Sequence, residues 1–126
     1  MVMITEDYVS FETAKLLKEK GFEGDTSCYY VPDSSIRWCY QHYHDFDKKD
    51  RIECPTLQMA MKWLRDIFHL EIYPFHDAIQ ENNDWWYRIE QHSKGCGLTK
   101  HESDIIYKTY KEACEAAIKY CLENLI

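Results

Sequence analysis

Apolar positions recur with two periods along the chain, and the alternation between them predicts its elements. From Cys54 to Pro74 the sequence reads CPTLQMAMKWLRDIFHLEIYP. Leu57, Ala60, Met61, Leu64, Ile67 and Phe68 return at helical spacing, with Gln58, Lys62, Arg65 and Asp66 on the other face. The spacing predicts a helix from about Thr56 to Phe68, with Pro55 suited to its first turn because a missing N–H is harmless there. An earlier helix is expected from Phe11 to Lys20, capped by Ser10, stopped by Gly21 and lined by Phe11, Ala14 and Leu17. A last helix opens at Thr109, where Thr109-Tyr110-Lys111-Glu112 reads as a capping box. Tyr110, Cys114, Ala117, Ile118, Cys121 and Leu125 form its stripe, with Ala113 and Leu122 beside it, and Lys111, Glu115, Lys119 and Glu123 alternate in sign outside.

Between these helices the period drops to two. Ser27 to Val31 and Ile36 to Tyr43 predict a hairpin about the turn Pro32-Asp33-Ser34-Ser35. His44 to Glu53 is polar and reads as a loop. Leu70 to Tyr73 is a strand directly after the second helix, followed by a polar connection from Asp77 to Asp84. Trp85 to Gln91 alternates cleanly, Ser93 to Lys100 reads as a glycine-bearing loop, and Asp104 to Lys108 is a short strand candidate. The expected order is α-β-β-α-β-β-β-α. It predicts an α+β fold in which an antiparallel sheet of four to five strands packs with three amphipathic helices.

Length changes the picture little: 126 residues is one domain, 1–126, large enough for a core without staples. Charge changes it more. Fifteen Lys and Arg against 22 Asp and Glu leave a net −7, which argues against a nonspecific grip on nucleic acid. No apolar run approaches the 18 residues a membrane helix needs. The N-terminal stretch carries early acids and lacks the pattern of a secretory signal, so the expected location is the cytoplasm and the six cysteines are expected to be free thiols.

Candidate chemistry is sparse. Cys39, His42 and His44 cluster, flanked by Cys28 and Cys54, but Cys39-x2-His42 is half a zinc site with no second half. Cys96 sits between Gly95 and Gly97, with His92 before and His101 behind, as a thiol–imidazole pair would need. Cys114 and Cys121 read as core. The acids of 45–53 lack the glycine and closing Glu of a calcium loop, and no phosphate-cradling glycine pattern occurs, so no cofactor is expected. The strongest candidate is a sheet face. If Trp38, Tyr40, Ile72, Trp85, Tyr87 and Ile89 pack under helices, the opposite side carries Arg37, Gln41, Tyr43, Glu71, Tyr73, Trp86, Arg88 and Glu90. Tyr43, Tyr73, Trp86 and Arg88 are of the types that dominate protein contact surfaces.

Three segments, Glu6 to Phe22 (EDYVSFETAKLLKEKGF), Cys54 to Asp66 (CPTLQMAMKWLRD) and Tyr107 to Ile126 (YKTYKEACEAAIKYCLENLI), resemble small uncharacterised phage- or prophage-associated proteins of Bacteroides-type gut bacteria. The resemblance covers most of the predicted helices and none of the middle strands. It implies an intracellular accessory protein of a mobile element and assigns no activity or site residues. The resulting expectation is a non-enzymatic module that binds a protein partner or itself through the Tyr73/Trp86/Arg88 face. The alternative is a small metal- or thiol-dependent enzyme using Cys39, His42 and His44, or Cys96.

Overall fold

A computed structural model describes residues 5–23, 26, 28–30, 36–38, 51–77, 84–93 and 95–126, with backbone alone at 36–38. The fold is α+β. Two compact units divide the chain, Met1–Met59 and Ala60–Ile126, and each is taken by itself.

In the first unit, α1 spans Phe11–Glu19. The Ser10 hydroxyl accepts the Thr13 N–H at 3.3 Å, which satisfies one of the open donors of the first turn. At the other end Gly21 adopts φ +95°, and the Phe22 and Gly21 N–H groups donate to the Leu17 and Lys18 carbonyls. This is a Schellman ending, and it needs a residue that tolerates left-handed backbone. Both caps stand where the sequence predicts them.

Strands β1 (Cys28–Tyr30), β2 (Ile36–Trp38) and β3 (Ile52–Glu53) form an antiparallel sheet in the order β2-β1-β3. The β1–β2 hairpin was expected, whereas β3 falls in the stretch read as a loop. Two residues are too few for a period to show in sequence. Every β1 residue is buried, so its inward and outward faces are both covered. Val9, Thr13, Ala14, Leu17, Cys54, Pro55 and Leu57 are buried in the same unit. The Phe11 ring meets Tyr30 edge-on at 5.4 Å, and the Tyr30 hydroxyl donates to the Val9 carbonyl at 2.8 Å. Cys28 and Cys54 are free and buried, and their mutual hydrogen bonding and burial push the Cys28 thiol well up.

Helix α2 (Leu57–Phe68) starts in the first unit and continues into the second. Thr56 caps it, its hydroxyl accepting the Met59 N–H at 3.1 Å. Leu57, Ala60, Met61 and Leu64 are buried as the period predicts, but Ile67 is 58% exposed. At 3.6 residues per turn Ile67 projects roughly 80° from the line through Leu57, at the margin of the stripe. Phe68, on that line, packs edge-on against Trp63. His69 ends the helix at φ 59°, a left-handed residue that turns the chain into the next strand.

The second sheet has the order β4-β5-β6, all antiparallel: β4 Leu70–Asp77, β5 Asp84–Ser93 and β6 Cys96–Glu102. Among the described residues the strands thus lie in two three-stranded sheets, where the sequence predicts a single sheet of four to five strands. The third strand of this sheet also differs. It is the segment read as a glycine loop, and Asp104 to Lys108 is not a strand. Gly95, at φ +82°, makes the tight turn that lets Cys96 pair with Ser93. From the later segment Tyr107 alone touches the sheet, exchanging both backbone hydrogen bonds with Trp85 at 2.7 Å. Ile105 and Ile106 are exposed, since β-propensity without a partner strand does not make a strand.

Ladder parity fixes what faces each way. The His92 N–H donates to the His69 carbonyl, so Arg88 with Tyr73 and Trp86 with Phe75 are hydrogen-bonded pairs of β4 and β5. Tyr87 spends its backbone on the other neighbour, accepting the Ser103 N–H and donating to the Ser103 hydroxyl. Its partner Pro74 therefore points its nitrogen outward, where no ladder bond is lost. Helix α3 (Tyr110–Tyr120), continued by a π turn over Cys121–Leu125, packs on β4 and β5. The Thr109 hydroxyl accepts the Glu112 N–H at 3.1 Å, as the predicted box requires. The Glu112 carboxylate reaches the Lys108 N–H, one residue short of the usual partner. The core here is Leu70, Ile72, Tyr87 and Ile89 from the sheet with Ala113, Cys114, Ala117, Ile118, Cys121 and Leu122 from the helix. Burial pushes the Cys121 thiol up to about 12.

Candidate functional site

The face of β4-β5-β6 opposite this core carries Glu71, Tyr73 and Phe75 on β4 and Trp86, Arg88 and Glu90 on β5, all half-buried. Alternation along each strand puts them there: Ile72, Tyr87 and Ile89 between them are buried. Of the predicted site residues the structure brings Tyr73, Trp86 and Arg88 together on one surface. Tyr43 lies outside the described residues, as do Cys39, His42 and His44.

At one end of the face the rings of Phe75 and Trp86 stack across the strands, 4.4 Å apart and 18° from parallel. The Arg88 guanidinium lies 5.3 Å from the Phe75 ring centre and 5.8 Å from that of Trp86. Its Nε reaches Glu102 Oε1 on β6 at 3.0 Å. The guanidinium is thus held by a carboxylate on one side and two ring faces on the other, an arrangement that orients a long side chain in a single plane. Phe75 is the member that sequence reasoning missed. The predicted strand stops at Tyr73, yet β4 continues past Pro74 to Asp77. The signal was present in the spacing of Tyr73 and Phe75 on the same face.

At the other end an open groove of about 440 Å³ is lined by Tyr73, Glu90, His92, Ser93, Cys96 and Gly97. Tyr73 Oη and His92 Nε2 share a hydrogen bond at 3.3 Å. Burial, and then the carboxylates of Glu90 and Glu71, raise the Tyr73 phenol above its ordinary range. Glu71 faces Glu90 directly across the ladder and is held by Arg65 Nη1 at 3.3 Å. Gly97 lies under the groove: a Cβ there would stand 2.9 Å from Glu90 Oε1 and 3.5 Å from His92 Nε2. The glycine leaves room for the Glu90 carboxylate to lie over its backbone, and a side chain there would turn that carboxylate aside.

Cys96 and His92 share this groove, as the thiol–imidazole reading anticipates in part. No hydrogen bond joins them among the described residues, and His92 spends Nε2 on Tyr73. His101 is on the other side of the sheet, stacked on Tyr120 at 3.7 Å and 5° from parallel. The general-base contact that activates a thiol nucleophile is therefore not made. No group of three or more His, Cys, Asp or Glu side chains is placed to hold a metal ion among the described residues. No described helix is long and apolar enough to cross a membrane. Cys114 and Cys121 lie in the core, as their spacing on the apolar stripe predicts.

No known protein family, curated protein or solved structure matches this chain.

Proposed function

We propose that this protein is a binding module that engages another polypeptide through the outer face of β4-β5-β6, with Tyr73, Phe75, Trp86 and Arg88 as its anchors. One observation carries the reading: Phe75, Trp86 and Arg88 form a stacked, ion-paired array on a sheet surface whose opposite side supplies Leu70, Ile72, Tyr87 and Ile89 to the core. Aromatic and arginine side chains held rigidly lose little rotamer freedom on association, which is why they dominate the energetics of contact surfaces. The acidic balance of the chain supports a polypeptide occupant over nucleic acid. The occupant is a different protein or a second copy of this chain, met in the cytoplasm. The resemblance of the helical segments to phage-associated proteins supports an accessory rather than an enzymatic role.

The test pairs capture with sedimentation. Trp86→Ala and Arg88→Ala should weaken self-association measured by analytical ultracentrifugation, or abolish partner capture from a cognate host lysate, while the circular dichroism spectrum stays native. If the doubly substituted chain retains both its capture and its sedimentation behaviour, this face is not the contact surface.

A further inference from the structure

We infer that the groove over Gly97 is a subsite for a cationic side chain, a lysine ammonium or arginine guanidinium, presented by the polypeptide that occupies the aromatic face. This rests on the binding reading above and adds the chemistry of one position within it.

The argument starts from a conflict in the ladder. Glu71 and Glu90 are directly opposite on β4 and β5 and share the outer face. Like charges in that relation are destabilising. Glu71 is compensated by the Arg65 guanidinium. Glu90 has neither a hydrogen bond nor an ion pair among the described residues. It also does not simply extend into solvent. Its Oε1 lies over Gly97 near the His92 ring, so that a Cβ at that position would push the flexible carboxylate aside. The carboxylate lines the groove with no counter-charge among the described residues.

The remaining walls suit a cation. The Tyr73 ring and hydroxyl form one side, and an ammonium or guanidinium gains from both an aromatic surface and a carboxylate when partly desolvated. The negative field is registered by Tyr73, whose phenol is raised by Glu90 and Glu71 after burial itself. The groove lies at the opposite end of the face from the Phe75/Trp86 stack. A strand or extended segment crossing the face would thus lay an apolar group on the stack and a basic one over Gly97. The net charge of −7 attracts the same kind of partner at long range.

The probes are Nα-acetyl-lysine methylamide, Nα-acetyl-arginine methylamide and the neutral Nζ-acetylated lysine derivative. Each is titrated into the ¹⁵N-labelled full-length chain at low salt. Both cationic probes should move the Gly97 and His92 amide resonances, and the neutral probe should bind at least about tenfold more weakly. Glu90→Gln, with an otherwise native amide spectrum, should lose about the same factor, and Gly97→Ala should weaken binding by displacing the carboxylate. Trp86→Ala should leave these titrations unchanged, which separates the subsite from the aromatic stack. Equal response to charged and neutral lysine probes, or wild-type affinity in Glu90→Gln, overturns the inference. If that occurs while partner capture still depends on Trp86, the face survives and the cation subsite falls. If the cation response is intact and capture is indifferent to Trp86, the aromatic-face reading falls instead.

Discussion

The two faces of β4-β5-β6 come from the same strands and differ in one respect, the side of the pleat on which a residue falls. Ile72, Tyr87 and Ile89 are buried against α3, while Tyr73, Trp86 and Arg88, each one position away, are half-exposed. Both faces are rich in rings. On the inner face the aromatics are tied into the fold: Tyr87 lies 6.1 Å from Tyr107 and 5.8 Å from His101, and Trp85 meets Tyr110 edge-on at 5.2 Å. On the outer face Phe75 and Trp86 stack on one another beside the Arg88 guanidinium, and Tyr73 pairs with His92. Aromatic content alone therefore does not mark a contact surface. What distinguishes the outer set is that Phe75, Trp86 and Arg88 are held to one another across the strands and to Glu102 on β6.

If that contrast holds, the largest effect belongs to the inner face. Ile89→Ala should lower the unfolding free energy by about 2–5 kcal/mol, read as a fall in the urea midpoint. A loss as small as that of an outer-face substitution would mean that the inner side is loosely packed, and the contrast would collapse. Alkaline pH probes the same face by another route. Burial raises the phenol of Tyr87 and lifts the Cys121 thiol from its ordinary 9.0 to about 12. Both groups are favoured in their neutral forms when folded, so their stabilisation is complete below about pH 9 and is lost as pH rises through 12. Unfolding free energies at pH 8 and 11 should differ less in Cys121→Ala than in wild type, whatever the absolute stability of the variant. An unchanged difference would show that the thiol ionises freely in the folded chain.

Outer-face changes should be milder for stability. Trp86→Ala removes the stack on Phe75 and is expected to cost about 0.5–1.5 kcal/mol beyond its lost area. A double-mutant cycle with Phe75→Leu isolates that coupling. The smallest effect should come from Arg88→Gln, about 0–1 kcal/mol, because its ion pair with Glu102 is partly solvated and screened. A cost of several kcal/mol at Arg88 would instead make it a structural residue and sharpen the division in an unexpected place.

The parts of this architecture that were legible in sequence are those with local causes. Ser10 and Thr109 cap their helices as predicted, because a hydroxyl at a helix start needs only neighbours within three residues. At the middle helix Thr56 is the cap, which leaves Pro55, expected in the first turn, ahead of it. The burial of Ile72, Tyr87 and Ile89 followed from alternation, and with it the shared face of Tyr73, Trp86 and Arg88. Long-range causes stayed hidden. Gly97 reads as a loop residue, yet it is in a strand, paired with His92 on the neighbouring strand, and that partner is invisible to local composition. The two-residue β3 is held by Tyr29 and Tyr30 of β1 rather than by any pattern of its own. The separation into two sheets was equally out of reach, since period says that a segment is a strand and not which strand it will find.

The outward nitrogen of Pro74 carries a consequence for what can accumulate on this molecule. An arriving polypeptide that tried to extend the sheet alongside β4 would meet a gap at the centre of the row of donors it must engage. Ordered stacking of copies through that border is therefore interrupted at its midpoint, and replacement of this one imino acid by threonine would restore a continuous docking rail. The ring closes one side of the sheet to fibre growth.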